Sequence, residues 1–399
     1  MNRLSFAATC CWIALLIGCS KSEIVSPEVY ACSFSFADSS NGYPRNETYQ
    51  DLLDGITTSG VPGISMSVCT PDDGEWLGVS GMADIASGVA LKPCNITRVG
   101  STVKTFTAVT ILLLKEEGLI SLDDKISKYL TAADLNGIEN AEQSTIRQLL
   151  NHSSGIFNYI QSLRFQTASV NDLTKVWQPD ELLQYARGKK AYFKPGEDVL
   201  YSNTNYVLLG MIIEKVSGKP FYEVFEEKIF DPLQLTSTQF AAEDPVPGNL
   251  IRGYIDFYSN LQLMESTHYS GWDYFTADGG LISTPHDLSV FMRALFEGSL
   301  LKPETLAEML TVQVPENLDP DYYPIAYGLG IFRIETPYGI AWNHSGDAIG
   351  YFAQMNYFPE RQTTLVWATN GNYGKIDALI SSKEAMDGIF EVVFGKVGR

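Results

Sequence analysis

Positive charge is scarce in this chain. Its 399 residues hold 28 lysines and arginines against 47 acidic residues, a net charge of -19. Nucleic-acid binding depends on basic side chains that neutralise phosphates, so this balance argues against that class of partner. Acidity of this kind serves solubility. Cysteine is scarce too. Of six cysteines, Cys10, Cys11 and Cys19 fall at the extreme N-terminus, which leaves Cys32, Cys69 and Cys94. No spacing among these fits a metal site, and none has a catalytic partner in sequence. An odd number of cysteines in an oxidising compartment leaves room for one disulfide. Cys69 with Cys94 is the expected pair, because they flank one hairpin unit. The chain has no internal repeat and no low-complexity tract. Its N-terminal apolar stretch is too short and too poorly flanked to span a membrane.

What is present is ordinary for a folded protein. The 45% apolar content supports a sizeable core. The length allows one large domain or two modest ones. Arg3 supplies a basic start, and Ala7, Ala8 and the run Trp12-Ile13-Ala14-Leu15-Leu16 form an apolar segment, as in a secretory signal. The segment ends in Leu16-Ile17-Gly18-Cys19, which resembles the bacterial lipobox. That resemblance implies cleavage before Cys19 and lipid on Cys19. Acyl carbons contribute about 0.8 kcal/mol each when buried, enough in number to hold a domain at a membrane surface. Ser20 leans toward the outer membrane. The expected organisation is therefore a signal peptide over 1–18, a lipidated N-terminus and tether over 19–47, and a folded domain over 48–399 in the cell envelope.

Alternating β-prone residues over 63–69, the turn Pro71-Asp72-Asp73-Gly74 and Glu75 to Ser80 predict a hairpin. Helical patterns dominate from 102 to about 235. The segment Thr102 to Ile120 is apolar and long enough for a buried helix. Tyr206 to Val216 predicts another helix, stopped by Gly218 with Pro220 beyond. Thr284-Pro285 opens a third, with Thr284 as cap and Asp287 near its positive end. Strands return over 327–334, 338–343, 351–358 and 363–369, joined as a meander, and a helix over 376–394 closes the chain. The expectation is a mixed α/β fold of the α+β type. An antiparallel sheet is built from both chain ends and flanked by helices, with an all-helical lobe inserted beside it. The aromatic-rich run Tyr254 to Tyr274 either lines a groove or packs a loop.

The chemistry-bearing stretch is Ser101-Thr102-Val103-Lys104. Residues three apart share a helix face, so the Lys104 amine can reach the Ser101 hydroxyl. A serine needs a base to become a nucleophile, and a lysine in a dry pocket can lose its charge and serve as one. Tyr201-Ser202-Asn203 and His344-Ser345-Gly346 follow downstream. Ser-x-x-Lys, Tyr-x-Asn and His-Ser-Gly in this order resemble the motifs of penicillin-recognising serine acyltransferases. The resemblance runs from about 48 to 395. It is nearest the branch of class C β-lactamases, D-alanyl-D-alanine carboxypeptidases and related serine esterases. Leu149 to Gly155, Tyr201 to Gly218, Asp231-Pro232-Leu233 and Gly279 to Thr284 match further phrases of that branch.

The resemblance implies a β-lactamase/transpeptidase-like fold with its site at the seam between sheet and helical lobe. It implies an acyl-enzyme on Ser101, with Lys104 or Tyr201 as general base and Tyr201 returning a proton to the leaving group. Asn203 would hold Lys104 and bind a substrate amide. The amides of Ser101 and Asp347 would bind the oxyanion, with Gly346 kept bare so that the backbone can approach the substrate. Ser345 belongs to the same substrate-binding strand. No cofactor or metal is required, and the partner is a small-molecule or peptide substrate. His344 is a departure, because class C β-lactamases carry Lys there. A histidine is charged only part of the time near neutral pH, which favours carboxypeptidase-like or esterase-like chemistry over β-lactam hydrolysis. Asp347 either disfavours an anionic substrate or raises the basicity of His344. A non-catalytic protein that binds cell-wall peptides is the alternative from another class. His152 reads as structural, and His268 and His286 as surface residues.

Overall fold

The computed structural model describes residues 40, 42–241, 246–269, 271 and 275–396. The expected signal peptide, Cys19 and most of the tether lie outside the described residues. The main sheet has eight strands: β1 (Gly63–Thr70), β2 (Gly74–Asp84), β3 (Val89–Ala90), β4 (Ile325–Tyr327), β5 (Phe332–Thr336), β6 (Gly339–Ala348), β7 (Tyr351–Phe358) and β8 (Thr363–Thr369). Their order is β3-β2-β1-β8-β7-β6-β5-β4, antiparallel throughout. The two chain ends meet where β1 pairs β8, with Met66 opposite Trp367. The sheet built from both ends is thus present.

Helices cover both faces. Strands β7 and β8 are buried along their whole length, as expected of strands sandwiched between layers. On one face lie α1 (Asn46–Thr58) and the terminal helix, with Ile64, Met66, Val68, Trp367 and Phe390 in one cluster. On the other lies the inserted helical lobe. Its axis is α2 (Val103–Glu116), buried on nearly every side. A helix apolar all round has to sit in a core. Phe106 stacks on Phe291 at 3.7 Å, tying α2 to α4 (Pro285–Phe296), and α3 (Asn203–Ser217) packs alongside. Two small three-stranded sheets lie outside the main one.

Several local expectations hold and others are corrected. Gly218 ends α3 at φ +71°, a conformation glycine adopts without steric cost. Thr284 caps α4 by accepting from the Asp287 amide at 3.2 Å. The helix expected over 102–120 begins at Val103 and stops at Glu116. The strand expected over 327–334 is two strands, because Gly330 at φ +71° turns the chain between them. The terminal helix is broken after Ile380, and Ser382 caps its second part, Lys383–Phe394. Of the aromatic run, Tyr254 is buried in a short strand, and Phe257 and Tyr258 are exposed.

The Cys69–Cys94 pair does not form. Cys69 is a buried free thiol, whereas Cys94 is disulfide-bonded. Leu91 binds Gly81, which lies opposite Gly63, so the chain reaches Cys94 from the opposite end of β1. Six residues of strand put Cys69 roughly 20 Å away from that end, far beyond disulfide reach.

His286 is not a surface residue but a clamp between α4 and β2. Its Nδ1 lies 2.8 Å from the Glu75 carboxylate, and its side chain is 25% exposed. Burial disfavours the imidazolium, but the hydrogen bond and charge of Glu75, with Asp287, hold the net value above the ordinary histidine range. Such a group adds stability that is complete below its unfolded value of about 6.5 and is lost as pH climbs through the folded value. The melting temperature of wild type should exceed that of His286→Gln most at about pH 6, with the gap closing toward about pH 9. A gap that widens on this titration would rule the clamp out.

Candidate active site

Ser101 sits in a single 3₁₀ turn, Gly100–Thr102, that feeds directly into α2. The segment before it is anchored by Arg98, which is 2% exposed and donates to the Thr267 and Tyr269 carbonyls at 2.7 and 2.6 Å. One turn on, Lys104 is fully buried, and its Nζ lies 2.8 Å from Ser101 Oγ. Lys104 also donates to the main-chain carbonyl of Asp278. The i,i+3 spacing thus delivers the contact that helical geometry predicts.

Tyr201 and Ser202 precede α3. The Tyr201 ring lies 5.2 Å from Lys104 Nζ and packs on His152 at 4.4 Å between centroids. His152 adopts φ +60° in the turn after Leu149-Leu150-Asn151. Its Nδ1 accepts from the Ser202 amide at 3.1 Å. Burial, with Lys104 and His344 nearby, holds His152 well below the ordinary range, so it is neutral. Its structural reading therefore acquires content, because it fixes the turn that presents Tyr201.

Asn203 opens α3. Its backbone and side-chain amides both donate to Asn158 Oδ1, at 3.2 and 3.4 Å, and its buried Oδ1 has no partner. The expected Asn203 grip on Lys104 is not made through that oxygen. The Asp278 carbonyl takes the amine instead, and Asn203 Oδ1 is left as a buried acceptor in a residue that lines the cleft.

Strand β6 supplies the opposite wall. β5 pairs with β6 only over Gly339–Asn343, so the segment from His344 to Ala348 turns toward the Ser101 turn. The approach is tight. A Cβ on Gly346 would lie 2.0 Å from the Val99 carbonyl oxygen and 2.6 Å from the Ser101 nitrogen. A Cβ on Gly100, at φ +49°, would lie 2.8 Å from the Asp347 nitrogen. Both glycines are thus demanded by contact between two backbones. Contact with a second backbone is a reason for a bare Gly346 beside the expected one, approach of the substrate. The same closeness sets the Ser101 and Asp347 amides side by side.

His344 is 2% exposed and stacks on Phe332 at 4.7 Å. Burial and the Lys104 charge drive its value down to about 3. It is therefore neutral, not partly charged. Its Nδ1–H donates to the Ser345 carbonyl at 2.7 Å, which leaves Nε2 as an unpartnered buried acceptor. Asp347 does not raise it: the groups acting on His344 are Lys104, which lowers it alongside burial, and the Ser345 carbonyl. Asp347 itself opens into the cleft, yet shielding by the walls and the charge of Asp377 raise its value to about 6.

Two residues escaped the sequence reading. Asp278 is fully buried, accepts from Tyr159 at 3.1 Å and from Thr276, and interacts electrostatically with Lys104. Burial raises its carboxyl above the usual range, against the pull of Lys104. The signal was a lone carboxylate in a small, apolar phrase, immediately before Gly279-Gly280-Leu281. Asp377, in the short helix Lys375–Ile380, also lines the cleft, and its Oδ1 accepts from the Tyr373 amide at 2.7 Å. No local pattern marked it.

Ser101, Tyr201, Asn203, His344, Ser345 and Asp347 line one cleft of about 500 Å³, in the range of small-molecule sites. Lys104 lies beneath its floor. No group of residues able to hold a metal occurs among the described residues.

The chain is similar in sequence and in fold to known proteins. The chain is 29% identical over 303 residues to penicillin-binding protein 4* of Bacillus subtilis, covering 73% of this chain but only 64% of that protein. It is 27% identical to the human mitochondrial serine beta-lactamase-like protein LACTB, over 80% of this chain and 73% of that one. Among solved structures, a D-stereospecific amidohydrolase from Streptomyces superposes with TM-score 0.75 at 29% identity, covering 88% of this chain and 99% of that one. D-amino acid amidase from Ochrobactrum anthropi gives TM-score 0.77 at 26% identity, covering 87% and 98%. The Beta-lactamase family model matches residues 48–382, a span that contains every cleft residue named above, and the chain accordingly belongs to the beta-lactamase family of serine hydrolases.

Proposed function

We propose that this protein is a serine hydrolase that passes through an acyl-enzyme on Ser101 and cleaves D-amino-acid amides or small esters. The observation that carries this reading is the 2.8 Å contact between Ser101 Oγ and a fully buried Lys104 beneath an open cleft. In its neutral form the Lys104 amine takes the Ser101 proton as Oγ attacks the carbonyl carbon. The amides of Ser101 and Asp347 receive the developing oxyanion, a contribution of about 2.7–4 kcal/mol per donor. The intermediate collapses, the C–N or C–O bond breaks, and the leaving amine or alcohol takes a proton through Tyr201 and Lys104. Water then attacks the ester on Ser101 by the reverse route.

Neutral His344 supports the choice of substrate. A β-lactam or a terminal D-Ala carboxylate asks for a cation at the position His344 occupies, and a neutral imidazole whose free lone pair is buried offers none. The amidohydrolase and amidase likenesses point the same way. The test uses the soluble domain. A fluorophosphonate should label wild type and not Ser101→Ala. In a panel of D-amino-acid amides, p-nitrophenyl esters, D-Ala-D-Ala peptides and nitrocefin, the first two should be turned over best. Fast nitrocefin hydrolysis would replace this reading with a β-lactamase. Absence of labelling would leave a non-catalytic binding protein.

A further inference from the structure

The cleft has a one-sided polarity. Of the side chains lining it, the titratable ones are Tyr201, Tyr327, Tyr373, His344, Asp347 and Asp377, and none is Lys or Arg. With His344 neutral, the wall groups that can carry a full charge are two carboxylates, Asp347 and Asp377, while Lys104 lies beneath the floor. The adjoining cavity of about 310 Å³ shares Asp347, adds Asp319 and Asn343, and again includes no Lys or Arg in its lining.

The unsatisfied neutral groups have the same character. Asn203 Oδ1, Asn343 Oδ1 and His344 Nε2 are buried without hydrogen-bond partners, and these residues are 3%, 8% and 2% exposed. Each is an acceptor. Buried polar atoms are seldom left unpaired, and the residues carrying these acceptors line the cleft (Asn203, His344) or the adjoining cavity (Asn343), so the site is short of N–H donors. The two carboxylates repel each other as well: the charge of Asp377 pushes the Asp347 value up. A cation placed against them removes that repulsion.

We infer that the cleft selects substrates bearing a protonated primary amine close to the scissile carbonyl, held by Asp347 and Asp377, and rejects substrates bearing a carboxylate there. The inference rests on the hydrolase reading above and names its substrate class. A free α-amino amide or ester fits it. An N-acylated one loses both the charge and two of the three donors.

The test separates binding from chemistry. Calorimetry on the Ser101→Ala protein compares D-phenylalanine amide with its N-acetyl and N-succinyl derivatives. The ammonium form should bind at least about tenfold more tightly than the acetyl form, and the succinyl form most weakly. Asp377→Asn retains an oxygen for the Tyr373 amide and removes the charge. In that variant, and in Asp347→Asn, the ratio of ammonium to acetyl affinity should fall toward one. Equal or tighter binding of the acetyl form, or a ratio that both variants leave unchanged, overturns the inference. Fluorophosphonate labelling of wild type at Ser101 alongside such a result would show that the hydrolase reading survives. No labelling would show that the hydrolase reading itself has failed.

Discussion

Lys104→Met should lower the rate of acylation about 10²- to 10⁴-fold, the range for loss of a positioned general base. The substitution keeps the length and apolar stem of the side chain. It removes the nitrogen 2.8 Å from Ser101 Oγ and the donor to the Asp278 carbonyl. The ambiguity in such a variant is structural, because Lys104 and Asp278 are both fully buried. Breaking a buried pair typically costs about 3–5 kcal/mol, since the remaining charge has no compensation. Asp278 has a way out. Burial already raises its carboxyl, and without Lys104 beside it the group can take up a proton. The double variant Lys104→Met/Asp278→Asn should therefore recover much of the lost melting temperature while remaining as slow as the single variant. The check is the pseudo-first-order rate of fluorophosphonate labelling beside thermal melts of the three proteins. A single variant that labels within about threefold of wild type would remove Lys104 from the base's role.

Gly346→Ala should be nearly as damaging, through a different route. The new methyl would occupy a point 2.0 Å from the Val99 carbonyl oxygen and 2.6 Å from the Ser101 nitrogen. Both are main-chain atoms, so relief requires β6 and the Ser101 turn to separate. Overpacking of this kind costs about 1–3 kcal/mol of stability. The catalytic consequence is larger, because separation pulls the Ser101 and Asp347 amides apart. Losing one oxyanion donor lowers turnover about 10²- to 10³-fold. The loss should fall on kcat, with KM for a p-nitrophenyl ester changed little, since the donors act on charge that develops only in the transition state. A loss confined to KM would contradict the oxyanion assignment.

Both predictions concern contacts of different legibility. The Ser101–Lys104 contact is local. Three residues along a helix return a side chain to the same face whatever surrounds it, so the tetrapeptide alone places the amine by the hydroxyl. The same holds for the cap at Thr284, for the stop at Gly218 and for the alternating strands that bring both chain ends into one sheet. The resemblance of the downstream phrases then brings Tyr201, Asn203 and His344 to one place. The gaps in that reading also have a local cause. Over 327–334 the sequence reads as one strand where the fold has two with a turn between, because Gly330 is flanked on both sides by apolar residues that keep the pattern going.

Charge and contact between distant segments were decided only by folding. His344 is neutral because of burial and the Lys104 charge, and both are sums over neighbours from several parts of the chain. Cys69 is free because strand length separates it from Cys94, whatever their nearness in sequence. Gly346 is bare because another backbone lies against it. Asp278 and Asp377 acquire their places, under Lys104 and on the cleft wall, from packing that no short window encodes. Sequence alone settled which groups could react. Tertiary structure settled their protonation and the polarity of the cleft they face, because desolvation and Coulomb interactions depend on distance in space, not along the chain.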